Sequence, residues 1–154
     1  MSFIEIYELL LNRDPLPFLV PRNIWDREQT FQIEALGQPP LVKAVLHLLN
    51  DDIEGCHQIA HGNTSSEGSY WHAILHRREP DYSNSKYWYR RVANHPIYSK
   101  IQKSPPDWEP FPFVDWGEDA SRGRSKKSQE WLREVQVQEM KFLLIHSKEE
   151  VSSD

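Results

Sequence analysis

A chain of 154 residues is the size of one ordinary domain and can bury a hydrophobic core without disulfides or a structural metal. Its net charge of -5 disfavours an obligate nucleic-acid binder, because phosphate contacts require a basic face. The single cysteine, Cys56, excludes an intrachain disulfide, and no stretch of about 20 apolar residues is present that would cross a bilayer. Residues 1–5 lack a signal-peptide pattern. We therefore expect one cytoplasmic domain.

Two helices are predicted in the N-terminal part of the chain. Ser2 and Glu5 have capping-box spacing, and the apolar residues that follow recur at helical intervals, which predicts a first helix over residues 3–12. After Pro21, a less regular apolar pattern predicts a second helix. The Gly-Gln-Pro-Pro run of residues 37–40 ends it.

Four consecutive helices are predicted in the middle of the chain. Pro40 suits the first turn of one helix, Asp51 and Asp52 cap the next, and Pro80 with Asp81 forms a tight turn between the last two. The predicted helices cover residues 41–49, 53–60, 66–79 and 82–93. Because the connections are short, we expect these helices to form two antiparallel hairpins.

Residues 104–116 contain four prolines and four aromatic residues. Because prolines interrupt a helix, we predict an extended strap that lies across the helices and buries its aromatic side chains. These side chains are Trp108, Phe111, Phe113 and Trp116. The alternative is a disordered proline-rich ligand for a partner domain.

One long helix is predicted near the C-terminus. Residues 121–127 are polar and basic and are expected to be mobile, whereas residues 128–147 carry apolar side chains at helical spacing. We predict a single compact all-α domain over residues 1–148, with several helices, two hairpins, the strap and this long helix. Residues 149–154 are expected to form a disordered tail.

The two hairpins resemble tetratricopeptide repeats, in which a small residue and an aromatic residue four positions later pack the second helix onto the first. Ser85 and Tyr89 occupy these places in the second hairpin, and Cys56 and Ala60 occupy the matching places in the first. The offset is 29 residues instead of the usual ~34, and an independent array needs about three units or more. The resemblance therefore implies hairpins within a compact domain, and it does not imply a peptide groove.

The sequence also resembles, over a short stretch, a family of uncharacterised small bacterial and fungal proteins. The signature is the run Tyr70-Trp71-His72-Ala73-Ile74-Leu75-His76-Arg77-Arg78-Glu79-Pro80-Asp81-Tyr82-Ser83-Asn84-Ser85-Lys86-Tyr87-Trp88. A later run is similar too, Pro112-Phe113-Val114-Asp115. The resemblance implies a site near residues 70–88 and carries no particular chemistry.

Histidines and carboxylates recur at helical spacing on two neighbouring predicted helices. Residues three, four or seven positions apart share a helix face. One group is His72, His76 and Glu79, and the other is Glu54, His57 and His61. If the two faces meet, their imidazoles and carboxylates suit zinc, iron or manganese, which would make the protein a metal-dependent or histidine-based enzyme. The candidate metal ligands are His57, His61, His72, His76 and Glu79, with Glu54 beside them.

The leading hypothesis is a helical domain that binds a small molecule or a protein partner through a polar site around residues 72–88. One histidine there would serve as acid or base, because the ordinary histidine pKa is about 6.5. The candidate ligand-binding residues are His72, His76, Arg77, Glu79 and Lys86. The alternative is structural, with histidines that are half-buried hydrogen-bonding groups or simply exposed.

A third group of residues alternates cations with aromatics. Lys86, Arg90 and Arg91 lie next to Tyr87 and Trp88, a pattern that single-stranded nucleic-acid binders use. Burial of Trp88 and Tyr89 in the core is the preferred interpretation, so nucleic acid is not expected as a partner. The sequence contains no glycine-rich phosphate loop and no nucleophile elbow, and no pattern in it indicates an oligomeric state.

Overall fold

The computed structural model describes residues 1–63 and 65–152, with side chains as far as Glu149. These residues form nine helices and no strand, which confirms the predicted all-α fold. The helices are α1 (Phe3–Leu11), α2 (Arg27–Glu34), α3 (Pro40–Leu49), α4 (Ile53–Ala60), α5 (Ser66–Arg78), α6 (Tyr82–Val92), α7 (Ile97–Ile101), α8 (Pro110–Ser121) and α9 (Gln129–Ser152). None of these helices is long and apolar enough to cross a membrane.

Side-chain caps set where several helices begin. The Ser2 hydroxyl accepts a hydrogen bond from the Glu5 N–H at 3.2 Å, and the Glu5 carboxylate accepts one from the Ser2 N–H at 3.3 Å. The predicted capping box is therefore present. Asp52 caps α4 by accepting from the Gly55 N–H at 2.9 Å, and Ser65 caps α5.

The middle of the chain folds back on itself twice, because α3 packs on α4 and α5 packs on α6. Ser85 is fully buried, and its hydroxyl donates to the Ala73 carbonyl at 2.6 Å, so α6 lies close to α5 at this point. Cys56 and Ala60 are also fully buried. These residues pack the helices of each hairpin together. The likeness to tetratricopeptide repeats stays a prediction.

The last helix, α9, packs on α3, α7 and α8. Its buried face includes Leu132, Met140 and Leu143. The helix is longer than the predicted span of residues 128–147, since it continues to Ser152. Residues 149–152 of the expected disordered tail therefore belong to this helix, and residues 153 and 154 lie outside the described residues.

The prediction that prolines exclude a helix from residues 104–116 is wrong in the second half of that segment, where α8 begins at Pro110. Pro110 and Pro112 lie in the first turn of α8, where backbone N–H groups have no intrahelical acceptor, so the two prolines remove no hydrogen bond from the helix. The four aromatic side chains of this segment are buried to different degrees. Trp108 and Phe113 are buried, and Phe111 and Trp116 are partly buried.

An ionic network is buried near the turn between α3 and α4. Asp51 lies between two arginines, with Arg13 Nη2 at 2.9 Å from one carboxylate oxygen and Arg78 Nη2 at 2.5 Å from the other. Arg78 also donates to the carbonyls of Leu48 and Phe18, at 2.6 Å and 2.7 Å. The network ties this turn to α5 and to the segment that follows α1.

A second buried network is centred on Glu139 of α9. Its carboxylate lies 2.8 Å from Arg77 Nη1 and accepts hydrogen bonds from the hydroxyls of Tyr70 and Tyr89, both at 2.7 Å. All four side chains are buried. Burial, followed by the charge of Glu139, raises the pKa of Tyr70 well above its ordinary value, so this hydroxyl keeps its proton. The network joins α5, α6 and α9.

Candidate functional site

The predicted histidine stripe on α5 is partly buried against α6. His72 is 6% exposed, and its ring stacks on Trp88 with the ring centroids 4.3 Å apart. The ring also hydrogen-bonds the Ala60 carbonyl at the end of α4, whereas its Nδ1 has no hydrogen-bond partner in the described part of the chain. His72 therefore packs between α4 and α6 and connects the two hairpins.

The two predicted histidine groups lie on neighbouring helices, but their ligating atoms do not converge on one point. The ring centroids of His57 and His61 are 5.4 Å apart, and those of His72 and His76 are 6.0 Å apart. Among residues 1–63 and 65–149, the group of three potential metal ligands whose ligating atoms lie within 4.8 Å of one another is Glu67, His95 and His146. None of these residues belongs to the two predicted groups. The structure therefore does not bring the predicted metal ligands, these histidines and Glu79, together. One reason is that the His72 ring is stacked on Trp88 of α6.

The surroundings of His72 weaken its affinity for a proton. Burial lowers its pKa, the Ala60 carbonyl opposes this effect, and the charges of His76, His57 and His61 lower the pKa further. The folded state therefore binds this proton less readily than the unfolded state. The corresponding stability is present above the unfolded pKa of about 6.5 and is lost as the pH falls below it.

The His72→Gln variant should show a weaker pH dependence of its free energy of unfolding as the pH falls below about 6.5. One proton taken up on unfolding gives the wild type a slope of at most ~1.4 kcal/mol per pH unit, and the variant loses this slope. Urea unfolding at several pH values measures it. His61→Gln, at an exposed position, should retain most of the slope. Equal slopes for wild type and His72→Gln would contradict this account.

The predicted ligand-binding residues are divided between different parts of the molecule. Arg77 belongs to the buried network centred on Glu139. Lys86 pairs with Asp115 at 2.6 Å on the surface. His76 Nδ1 lies 3.3 Å from a Glu79 oxygen. Adjacent helical positions are rotated by about 100°, so His76 and Arg77 face different directions. The structure therefore does not gather the predicted set into one pocket.

A different group of ligating side chains meets at one point. Glu67 in the first turn of α5, His95 in the turn before α7 and His146 on α9 place three ligand atoms within 4.8 Å of one another. Glu67 Oε1 lies 2.6 Å from His95 Nε2 and 3.1 Å from His146 Nδ1. Ser147 donates to the other carboxylate oxygen at 2.7 Å. We call Glu67, His95 and His146 the Glu67 cluster.

The carboxylate at the centre of this cluster is ionised at neutral pH. Burial acts to raise the pKa of Glu67, but the hydrogen bonds from His95 and Ser147 and the charges of His95 and His146 outweigh burial. The pKa therefore lies below its ordinary value. A half-buried negative charge beside two imidazoles is suited to hold a cation or a proton.

Hydrogen bonds determine which nitrogen of His95 carries the proton. The Ile97 N–H donates to His95 Nδ1 at 3.2 Å, so this nitrogen is an acceptor. The neutral ring then has its proton on Nε2 and donates it to Glu67. His95 is 3% exposed, and its ring meets the Tyr70 ring edge-on with the centroids 5.1 Å apart, which holds it in this orientation.

An open cavity of about 500 Å³ adjoins the Glu67 cluster. Its lining combines the cluster and Ser147 with an apolar group and a polar group. The apolar group is Pro39, Pro40, Leu41, Val42 and Pro96, and the polar group is Asn63, Ser65, Ser66 and Asn94. Small-molecule sites commonly have volumes of roughly 300–1,000 Å³. The cavity is therefore large enough for a small organic ligand in contact with the cluster.

Sequence spacing missed the Glu67 cluster because its residues come from three elements. Glu67 and His95 are 28 residues apart, and His146 lies on the last helix. Spacing rules detect side chains that share one helix face, and no such rule links these positions. The available signal was a histidine directly before Pro96, which indicates a turn and no chemistry.

The chain matches no protein-family model, no curated protein and no solved structure at a significant level. The resemblance of residues 70–88 to uncharacterised bacterial and fungal proteins therefore stays a prediction.

Proposed function

We propose that the protein binds a divalent transition-metal ion at the Glu67 cluster. The observation that supports this is the convergence of one carboxylate oxygen and two imidazole nitrogens within 4.8 Å of one another. Two histidines and a carboxylate suit zinc, iron and manganese, as the two histidine groups on α4 and α5 would. The same ligand chemistry thus occurs at a different place in the fold.

Metal binding requires a small rearrangement of the cluster. Donor atoms around a tetrahedral ion, bonded at about 2.0–2.1 Å, lie roughly 3.3 Å apart. The 3.1 Å between Glu67 and His146 is already close to this value, whereas the 2.6 Å between Glu67 and His95 must widen. The ion takes the place of the proton that Glu67 and His95 share.

The ion also changes which nitrogen of His95 is protonated. With Nε2 on the metal, the proton of the neutral ring moves to Nδ1, which then no longer accepts from the Ile97 N–H. Losing this hydrogen bond costs about 1 kcal/mol, whereas structural zinc sites contribute on the order of 10 kcal/mol. Metal binding outweighs the loss.

Elemental analysis of protein purified without a histidine tag tests the proposal. We expect one zinc, iron, manganese or cobalt ion per chain after dialysis. Excess metal should raise the thermal unfolding midpoint, because a ligand at about 100 times its Kd stabilises the folded state by about 2.7 kcal/mol. His146→Gln should lose both the bound metal and the thermal shift, since it removes one of the three ligands.

Two further variants make this test specific. Glu67→Gln keeps the size of the side chain and removes the charged ligand, so it should behave like His146→Gln. His61→Gln removes an exposed histidine outside the cluster and should bind metal as the wild type does. The proposal fails if the wild type neither retains metal nor responds to it, or if the two cluster variants respond as the wild type does.

A second candidate is a ligand site around residues 72–88. The observation in its favour is the buried Nδ1 of His72, which has no hydrogen-bond partner in the described part of the chain although its ring is stacked on Trp88. A ligand that donates a hydrogen bond to this nitrogen would satisfy it. NMR of the histidine rings during fragment screening tests this: fragments that shift His72 and leave His146 unchanged support it, and the reverse pattern contradicts it.

We also infer that the protein works in the cytosol. Its single thiol, Cys56, is buried, and burial raises the pKa of this thiol far above its ordinary value. The reactive thiolate is therefore not formed, and an unpaired, unreactive cysteine fits a reducing compartment. Fractionation of cells that express the full chain tests this location.

A further inference from the structure

We infer that the cavity beside the Glu67 cluster takes a small organic anion that ligates the metal through two oxygen atoms and lays an apolar group against Pro39, Leu41 and Pro96. This inference rests on the proposed metal site. It adds the chemical class of the molecule that the metal would hold, and it follows from three properties of the cavity: open coordination positions, charge and shape.

The cluster leaves coordination positions open. Zinc takes about four ligands, and iron or manganese takes up to about six, whereas the described residues supply three. Ser147 does not complete the set, because its hydroxyl donates to the second oxygen of Glu67 at 2.7 Å. One to three positions therefore remain for a ligand that enters from the cavity.

The charge of the metal-loaded cluster favours an anion. Glu67 contributes one negative charge and the neutral histidines contribute none, so a divalent ion leaves the cluster with a net positive charge. Glu67 is the only carboxylate among the described residues that line the cavity, and no lysine or arginine is among them. A monoanionic ligand neutralises the site, and no other charged side chain of the described lining competes for it.

The shape of the cavity favours an anion with an apolar body. The prolines at positions 39 and 96 and the Leu41 side chain form an apolar surface, while Ser66 and Asn94 belong to the polar part of the lining. A ligand that only coordinates the metal would leave this apolar surface in contact with water. A ring attached to the coordinating oxygens would cover it and displace water.

Cobalt(II)-loaded protein provides the test, because the visible absorption of bound cobalt reports a change in its ligands. Two probes are titrated, benzohydroxamate and acetohydroxamate, which share a bidentate pair of oxygens and differ in having a phenyl ring or a methyl group. Both should change the cobalt spectrum. Benzohydroxamate should bind at least about tenfold more tightly, because its ring buries additional apolar area.

The Ser66→Trp variant places a bulky side chain in the cavity from an exposed position in the first turn of α5. It should retain the cobalt spectrum and bind benzohydroxamate at least about tenfold more weakly than the wild type. Ser83→Trp, at an exposed position in the first turn of α6, is the matched control and should bind the probe normally.

The outcomes separate the two proposals. Absence of any cobalt spectrum in the wild type overturns the metal site and the ligand class together. A cobalt spectrum that neither hydroxamate changes overturns the ligand class and leaves the metal site standing. Equal affinity for the two probes, or unchanged affinity in Ser66→Trp, also overturns it, because the apolar surface then plays no part.

Discussion

Replacing Glu139 by glutamine is expected to lower the free energy of unfolding by about 3–5 kcal/mol. Glutamine keeps the side-chain size and an oxygen that accepts hydrogen bonds from Tyr70 and Tyr89, so the loss reports the charge. Without the carboxylate, the guanidinium of Arg77, which is 4% exposed, becomes an uncompensated buried charge. Urea unfolding measures the change in midpoint, with an unchanged m value showing that the folded state is intact.

The exposed ion pair between Lys86 and Asp115 is the matched control. Its atoms lie 2.6 Å apart, but the side chains are 27% and 54% exposed, so Asp115→Asn should cost less than about 1 kcal/mol. Adding Arg77→Met to Glu139→Gln should recover most of the loss, because it removes the unpaired charge. A loss in Glu139→Gln as small as that in Asp115→Asn would show that the buried network contributes no more than a surface ion pair.

The Asp51→Asn variant should be destabilised by a similar amount, about 3–5 kcal/mol. Its carboxylate separates the guanidinium groups of Arg13 and Arg78, whose side chains are both fully buried. Burial lowers the pKa of Arg78, and the charge of Asp51 opposes this, so removing the charge leaves two buried cations close together. Asp51 has a φ of 59°, a left-handed conformation that asparagine tolerates, so the substitution changes charge without backbone strain.

Salt distinguishes this network from a surface pair. Because the Debye length is about 3 Å at 1 M salt, exposed pairs are screened, whereas buried charges are not. The loss in Asp51→Asn should therefore persist in 1 M sodium chloride. Asp81→Asn, at an exposed position, should change stability by no more than about 0.5 kcal/mol. A loss in Asp51→Asn that disappears in high salt would show that the arginines are accessible to solvent.

Helix boundaries were predictable because their causes lie within a few residues of one another. The Ser2–Glu5 capping box and the Asp52 cap are contacts across three positions, and Pro40 acts on its own backbone. The prediction for α8 was wrong because it treated every proline as a helix breaker, whatever the position of the proline in the helix. Pro110 lies at the start of the helix, where the lost N–H is not needed.

Burial of polar residues was harder to predict. Arg77 follows His76 in a run that reads as a polar face, and the sequence gives no sign that Arg77 faces the core. Its partner Glu139 is on α9, 62 positions later in the chain (139 minus 77). Charge patterns reveal ion pairs within a helix, whereas this pair joins α5 to α9 and forms only in the folded chain.

The sequence by itself determined the all-α class, the hairpin helices and the packing role of Ser85, because helix formation depends on backbone hydrogen bonds and periodic apolar faces over short distances. Only the tertiary structure decided that His72 is a packing residue and that Glu67, His95 and His146 meet beside a cavity. The positions of these side chains depend on how α5, the turn before α7 and α9 pack together. That arrangement is the sum of many weak contacts between distant residues, which no local spacing records.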